Sequence, residues 1–575
     1  MSIMPIIQFW LLDINSEVVD EKPEIRLWGL DQDNRRVLVI DRNLLPYLYL
    51  LLDEGADPNG VLREVEKNRS TMQAIEAVEA VERGFFGRPV RAIKVMCRNP
   101  NLATKYAASL SKIEGVGGHL EDDIRYSTRY LIDTETNPCG WHEAEVEETP
   151  TPIGAKVDKT YLAKAPPRAV ERDETPALRV LSFSMTSYST KGSPKPDRDP
   201  IVIISTTTNQ GEKKQFVAED SDDKPVIEAF IRHIQEFDPD IIAGYGTNSR
   251  DWPYLTERAE RMGLKMLVDR SGTEPHTSLY GHVSITGRSN VDLYELADEI
   301  PEVKVKTLGN IAEYLGVMKL KERTIVEDME VPGLWEDGEK RGILLRHSME
   351  NAESIHGIAE AMLAFAMQLA HLTGLPLDQV GTAAVGFRTE SYMIRQAYKL
   401  GELIPSRIER RYYPYKGAIV LKPKPGLHER VAVLDFSAMY PNIMIAFNIS
   451  PDTYLKPDEA EPSGGVNIAP EVKHRFRKDP PGFYRRVLSS LISARREVRA
   501  RLEKLDPKSP EYRILDARQR AIKLTTNACF DYTMPLVVRR NRDASVVQVG
   551  KLIDSMIDSG DPVISDGFSE FVKPV

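Results

Sequence analysis

Cysteine is nearly absent. The 575 residues contain three, Cys97, Cys139 and Cys529, far apart and without a CxxC partner. This excludes a disulfide framework and a thiolate zinc site, and the expectation is an intracellular, cytoplasmic protein. No stretch approaches the roughly 18 consecutive apolar residues of a membrane span. The amino-terminal MSIMPIIQFWLLDIN also lacks the basic stretch and small-residue cleavage site of a signal peptide, so no membrane partner is expected. Net positive charge is missing too. The formal balance is -10, which does not advertise nucleic-acid binding, although whole-protein charge fixes only the average field.

What is present is ordinary in bulk, with 41% hydrophobic and 28% charged residues, and the length supports three or four structural units. Charge is unevenly placed. Residues 471–523 carry 16 Lys/Arg against 7 Asp/Glu. Such a segment can neutralise phosphates, and the solvated face of a helical hairpin accounts for it equally well. Two helices are readable there, broken near residues 506–510 by a Pro- and Ser-containing turn. Arg495 and Arg499 are four apart and share a helix face, and Lys523 and Asn527 repeat the spacing on the second helix. An antiparallel hairpin would aim all four at one triphosphate, whose developing charge positive donors stabilise.

Upstream, residues 433–453 read VLDFSAMYPNIMIAFNISPDT. One carboxylate, Asp435, ends a short apolar strand and precedes a Tyr-Pro turn and an apolar run that packs as a helix. An aspartate so placed can hold a divalent metal through hard oxygen ligands. Further back, residues up to about 170 contain alternating apolar segments, IRLWGL and RRVLVI, with helical material expected over residues 44–82. Residues 161–176 read as a connector. Strands are then expected at LRVLSFSM, DPIVIIST and DIIAGY, with helices over residues 224–236, 348–373 and 389–399.

DFSAMYP resembles motif A of family B DNA polymerases. Lys523, Asn527, Ala528, Phe530 and Asp531 resemble their motif B, with Asp531 where the family has glycine. Tyr415, Lys416, Gly417 and Ala418 resemble the element that precedes the palm, where small residues let the template backbone approach. The resemblance implies that Asp435 is catalytic and binds metal. Phe436 then supplies a backbone carbonyl to metal or an N–H to phosphate, and Tyr440 stacks beneath the incoming sugar and selects deoxynucleotides. Arg495, Arg499, Lys523 and Asn527 hold the triphosphate. In VISDGFSEFVK, similar to the family's motif C, Gly567 and Ser569 stand at the two aspartate positions, so Asp566 is the candidate second catalytic and metal-binding carboxylate, with Glu570 as an alternative.

The region before the palm resembles the family's proofreading exonuclease, which needs several carboxylates converging on ions about 4 Å apart. Ser184 and Thr186 stand where its first motif has Asp and Glu. The second motif gives Gly246, Arg250 and Asp251, and the third gives His347 and Asn351 in place of Tyr and Asp. Only Asp251 keeps its carboxylate.

The whole is similar to the archaeal B2 group, whose nuclease and palm motifs are eroded. The implied fold class is multidomain α/β and α+β. A β-rich amino-terminal domain occupies residues 1–170 and a degenerate RNase H-like exonuclease domain residues 177–360. Linking helices and the first part of the palm follow over 361–475, helical fingers over 476–535 and the remaining palm over 536–575, with the thumb largely absent. The implied function is DNA-directed DNA synthesis from a primer–template and dNTPs with Mg²⁺ or Mn²⁺. It would lack proofreading and run at low efficiency, in repair or lesion bypass, with a thumb-supplying subunit or sliding clamp as partner. The alternatives are a catalytically inactive DNA-binding or replication-assembly scaffold and the large subunit of a split polymerase.

Overall fold

The computed structural model describes residues 5–278, 281–406, 422, 424–433, 436, 438–470 and 472–528, together with the backbone of 535–540 and 543–548. The amino-terminal part is a ring of strands. Ile6–Val19, Lys22–Asp31, Arg36–Asp41, Lys159–Ala163 and Trp141–Glu148 pair in that order, and the last pairs back onto the first. Alternation accounts for its core: Phe9, Leu11, Leu27 and Val39 point into one cluster with Tyr130. Residues 161–176, expected as a connector, begin inside this sheet, because Lys159–Ala163 and Arg168–Val170 are both strands of it.

A four-stranded sheet follows, formed by Ile75–Phe85, Arg88–Cys97, Tyr47–Leu52 and Val116–Leu120. It corrects the expectation of helix over residues 44–82. Only Pro58–Lys67 is helical for more than one turn there, started by Asp57, whose carboxylate accepts from the Asn59 and Gly60 amides. YLYLLL is apolar but too short to make a helix against a core. IEAVEAVERGF pairs along its length with the next strand.

The second domain is a five-stranded mixed sheet in the order Lys213–Val217, Ile201–Thr208, Val180–Ser187, Ile241–Gly244, Ser289–Asp292, with the last three parallel. Leu181, Phe183 and Ile242 face the helices Lys224–Phe237 and Trp252–Arg261. Val180, Ile241 and Ala243 face the opposite way, onto the helix Arg341–Thr373. That helix has 33 residues and ends on Gly374, whose φ of 75° lets its amide reach the Ala370 carbonyl. Part of it is long and apolar enough by composition to cross a membrane; half of that stretch is buried in the fold, where it is a core helix.

Buried charge joins the first two domains. The Asp240 carboxylate, with no exposed surface, accepts from Arg36 Nη2 of the strand ring at 2.7 Å and from Arg270 Nη2 at 2.8 Å. Beside it, burial raises the Asp238 carboxyl, but Arg270 and Arg288 outweigh that and hold it down at about 2. Among the described residues, no cation forms an ion pair with the neighbouring Asp269. Burial pushes it up to about 7, against the hydrogen bonds from Thr273 and the Thr286 amide.

An acid whose folded-state value is raised contributes stability below its unfolded value near 4 and loses it as the pH climbs through the folded value. The Asp269→Asn protein therefore gains on the wild type by on the order of 2 kcal/mol as the pH is taken from 5 to 8. Thermal melts of the two proteins side by side read this difference, which cancels the groups that the substitution leaves alone. A constant gap across the range would refute it.

Candidate active site

The helices Phe483–Leu502 and Pro510–Ala528 form an antiparallel hairpin. The turn between them is held by Ser509, whose hydroxyl accepts from the Tyr512 amide at 3.1 Å. Val487, Leu488 and Leu491 pack with Leu515 and Ile522 in a cluster that also takes Ile443 and Met444 of the helix Met439–Ala446. On its far side the second helix places Ala517 and Ala521 in the core of the 33-residue helix, and Arg520 lies 5.7 Å from the Phe365 ring centre.

Arg495 fixes the register. Its half-buried guanidinium donates to Gln519 Oε1 from Nε at 3.4 Å and from Nη2 at 3.3 Å, so these positions face each other across the hairpin. Arg499 stands one turn away on the first helix. Lys523 and Asn527 follow Gln519 at one and two turns on the second, and all three are exposed. Burial, then the charge of Arg499, lowers the Arg495 guanidinium from its ordinary value, which leaves it a cation at neutral pH. Two helices thus present a ladder of cationic and amide donors suited to a chain of phosphates.

Tyr440 is half-buried and packs against the same cluster from the helix Met439–Ala446, while Phe436 is exposed. The strand expected before Asp435 is not present at Val431–Val433, where Val431 and Val433 are largely exposed and belong to no sheet. Too little apolar contact is available there to hold an extended segment. Asp435, Asp566, Glu570, Gly567, Ser569, Phe530, Asp531 and Tyr415–Ala418 lie outside the described residues.

The second candidate site lies where the mixed sheet packs on the long helix. Ser182, Ser184 and Thr186 alternate onto one face of Val180–Ser187. Ser182 Oγ reaches His356 Nδ1 at 3.2 Å, and Ser205, directly opposite Ser184, bonds Ser348 Oγ at 2.7 Å. This face therefore covers the turns of the helix that carry His347 and Asn351. Guanidiniums stand beside the remaining polar groups. The Asn351 amide oxygen accepts from Arg323, which also donates to Ser354 Oγ at 2.7 Å, while Asn351 Nδ2 lies 3.1 Å from His347 Nε2. Asp251, 2% exposed, takes Arg250 Nε at 2.8 Å; burial raises its carboxyl and Arg250 opposes that rise. Among the described residues, no three His, Cys, Asp or Glu side chains are grouped as a metal site.

Arg323 and Gln519 gave no sign in the sequence. Each acts through a partner distant along the chain, and no local spacing encodes such a pairing. The four-residue intervals of Arg495 with Arg499 and of Lys523 with Asn527 were the local signals, and they located the ladder without the glutamine that sets its register.

Residues 375–534 match DNA polymerase family B, and residues 119–307 match the exonuclease domain of DNA polymerase family B. The chain is 43% identical over 531 residues to DNA polymerase 2 of Aeropyrum pernix, covering 92% of this chain and 66% of that protein. It is 36% identical over 526 residues to a DNA polymerase of Archaeoglobus fulgidus, covering 92% and 64%. The structure of the family B DNA polymerase from the hyperthermophilic archaeon Pyrobaculum calidifontis matches with a TM-score of 0.84 and 46% identity, over 92% of this chain and 68% of that one. The chain spans about two thirds of the length of the relatives it matches.

Replacing Arg323 by Ala removes the donor to Asn351 and Ser354 in a partly buried site. A loss of about 1–2 kcal/mol in urea unfolding is expected, and an unchanged midpoint would show that water replaces the guanidinium without cost.

Proposed function

Because this chain belongs to the family B DNA polymerases, we propose that it extends a DNA primer on a template with deoxynucleoside triphosphates. The primer 3′-hydroxyl attacks the α-phosphate, and pyrophosphate leaves. The observation that carries this reading is the hairpin ladder: Arg495, registered by Gln519, stands with Arg499, Lys523 and Asn527 on helices packed against the helix of Tyr440.

Each ladder residue has a role that its chemistry allows. The three cations neutralise the β- and γ-phosphates and steady the charge that moves onto the leaving pyrophosphate. Asn527 donates or accepts without adding charge, and Tyr440 lies beneath the sugar. The Asp435 carboxylate and the Phe436 carbonyl are hard oxygen donors, a set that fits Mg²⁺ or Mn²⁺, with Asp566 proposed as the further carboxylate. A divalent ion held there supplies Lewis-acid stabilisation to the transferring phosphoryl group. Asp531, Gly567 and Ser569 depart from the family pattern, which supports slow synthesis of the kind suited to repair or lesion bypass.

Synthesis without proofreading is part of the same proposal. Ser184, Thr186 and Asn351 offer neutral oxygens where the family has carboxylates, and Arg250 and Arg323 bring positive charge to the remaining groups. A cation beside those groups competes with metal ions for the same oxygens.

Primer extension with Mg²⁺ or Mn²⁺ tests the reading. Arg495→Ala is expected to lower kcat/KM for dNTP by about 10- to 100-fold, the cost of one charge-assisted contact to phosphate. Asp435→Ala is expected to abolish extension, and Asp566→Ala to do so if that carboxylate completes the site. Extension undiminished in Asp435→Ala would overturn the catalytic role of Asp435, and DNA binding with no extension above that control in the unaltered protein would replace synthesis by a scaffold role. A 3′-mismatched primer is expected to stay at full length, and trimming from its 3′ end would overturn the absence of proofreading.

A further inference from the structure

Both helices of the hairpin are tied to one carboxylate in the segment joining the first two domains. Arg501 Nη2, near the end of the first helix, lies 2.7 Å from Asp173 Oδ2. Arg518 Nη1, in the middle of the second, lies 2.9 Å from Asp173 Oδ1. Arg501 also reaches Glu511 at 3.2 Å, and Arg518 Nε donates to Gln368 of the 33-residue helix at 2.8 Å. Burial raises the Asp173 carboxyl, but the two guanidiniums outweigh it and hold it below the usual carboxylate range, so it stays charged in neutral solution.

The carboxylate is not on a free loop. The Arg172 guanidinium lies 4.2 Å from the Trp141 ring centre and donates to Gln8 Oε1 at 3.1 Å, and the Trp141 indole N–H donates to the Glu174 carbonyl at 2.8 Å. Trp141 is itself buried in the strand ring. Residues on either side of Asp173 are therefore fastened to the amino-terminal domain, and Asp173 passes that anchorage to the hairpin. The next residue after Arg518 is Gln519, the partner of Arg495. A displacement of Arg518 is carried along one helix to Gln519 and across the hairpin to Arg495.

We infer that Asp173 is a positioning residue for the nucleotide: by holding both helices it sets where Arg495 and Lys523 stand relative to the rest of the chain. The inference rests on the proposed function for the identity of the ligand. It does not depend on turnover, because placement of the ladder is read by affinity alone.

The test uses the full chain, its Asp173→Asn and Asp173→Glu variants, and a primer–template ended by a dideoxynucleotide so that no bond forms. The asparagine variant is expected to bind dATP opposite thymine about threefold more weakly, in keeping with a partly exposed ion-pair network. The amides of residues 483–502 and 510–528 are expected to exchange hydrogen faster, with the strand ring unchanged. With an extendable primer, the rate at saturating dATP moves less than the affinity does, and the glutamate variant recovers at least part of the loss. Hydrogen exchange unchanged in both helices, or dATP affinity unchanged despite faster exchange, would overturn the inference. Failure of the unaltered chain to bind dATP would do the same. If dATP binding follows Asp173 while no primer is extended by any of the proteins, the positioning role stands and the proposed synthesis is what fails.

Discussion

Burying the helix Arg341–Thr373 on several sides at once is the constraint from which the other positions follow. One side of it carries the mixed sheet through Ile355, Ile358 and Ala359, and a later stretch receives Ala517 and Ala521 of the basic hairpin in the same core. Small residues let the hairpin approach closely, so the ladder of Arg495 and Lys523 is referenced to the same rigid rod that floors the nuclease-type cleft. Two sites that share a wall cannot be moved independently without opening a core of 30 buried side chains, whose contacts are each weak and together decisive.

Among the described residues, the polar face between the mixed sheet and the long helix is held by hydrogen bonds, with no grouped carboxylates. Carboxylates gathered for metals repel one another when no ion is bound, and a buried carboxylate without a partner is costly. Serine and threonine stand on the strand, and asparagine on the helix, where the exonuclease resemblance implies carboxylates, and Asp251 is matched by its neighbour Arg250. Arg323 completes the arrangement by filling the acceptors of Asn351 and Ser354. The result is an interior tied by hydrogen bonds from Ser182 to His356, Ser205 to Ser348 and Arg323 to Asn351 and Ser354.

Much of this was legible along the chain because the signals were periodic. The alternation of LRVLSFSM and the four-residue spacing of Lys523 and Asn527 each correspond to one face of one element, and such faces survive folding unchanged. Residues 44–82 misled because apolar runs of six residues satisfy helix and strand alike, and pairing with Arg88–Cys97 and Val116–Leu120 decided the matter from elsewhere in the chain. Gln519, Arg323 and Asp173 were silent for a related reason: each depends on a partner brought close only by the tertiary fold. The acidic part of the candidate site, Asp435 and Asp566, rests on the sequence alone, whereas its basic part has a geometry.

The pairing of Asp240 with Arg36 and Arg270 bears on how this molecule can be taken apart. A cation from the strand ring is sealed inside the neighbouring sheet, and Asp13 of the ring likewise accepts the Gly287 amide at 2.7 Å. Cutting the chain at the boundary that its composition suggests would leave Asp240 facing two guanidiniums' worth of design with one of them gone, and an apolar seam open to water. The first two domains are thus separate in topology and sealed together by buried charge, so neither is expected to keep its stability when cut from the other.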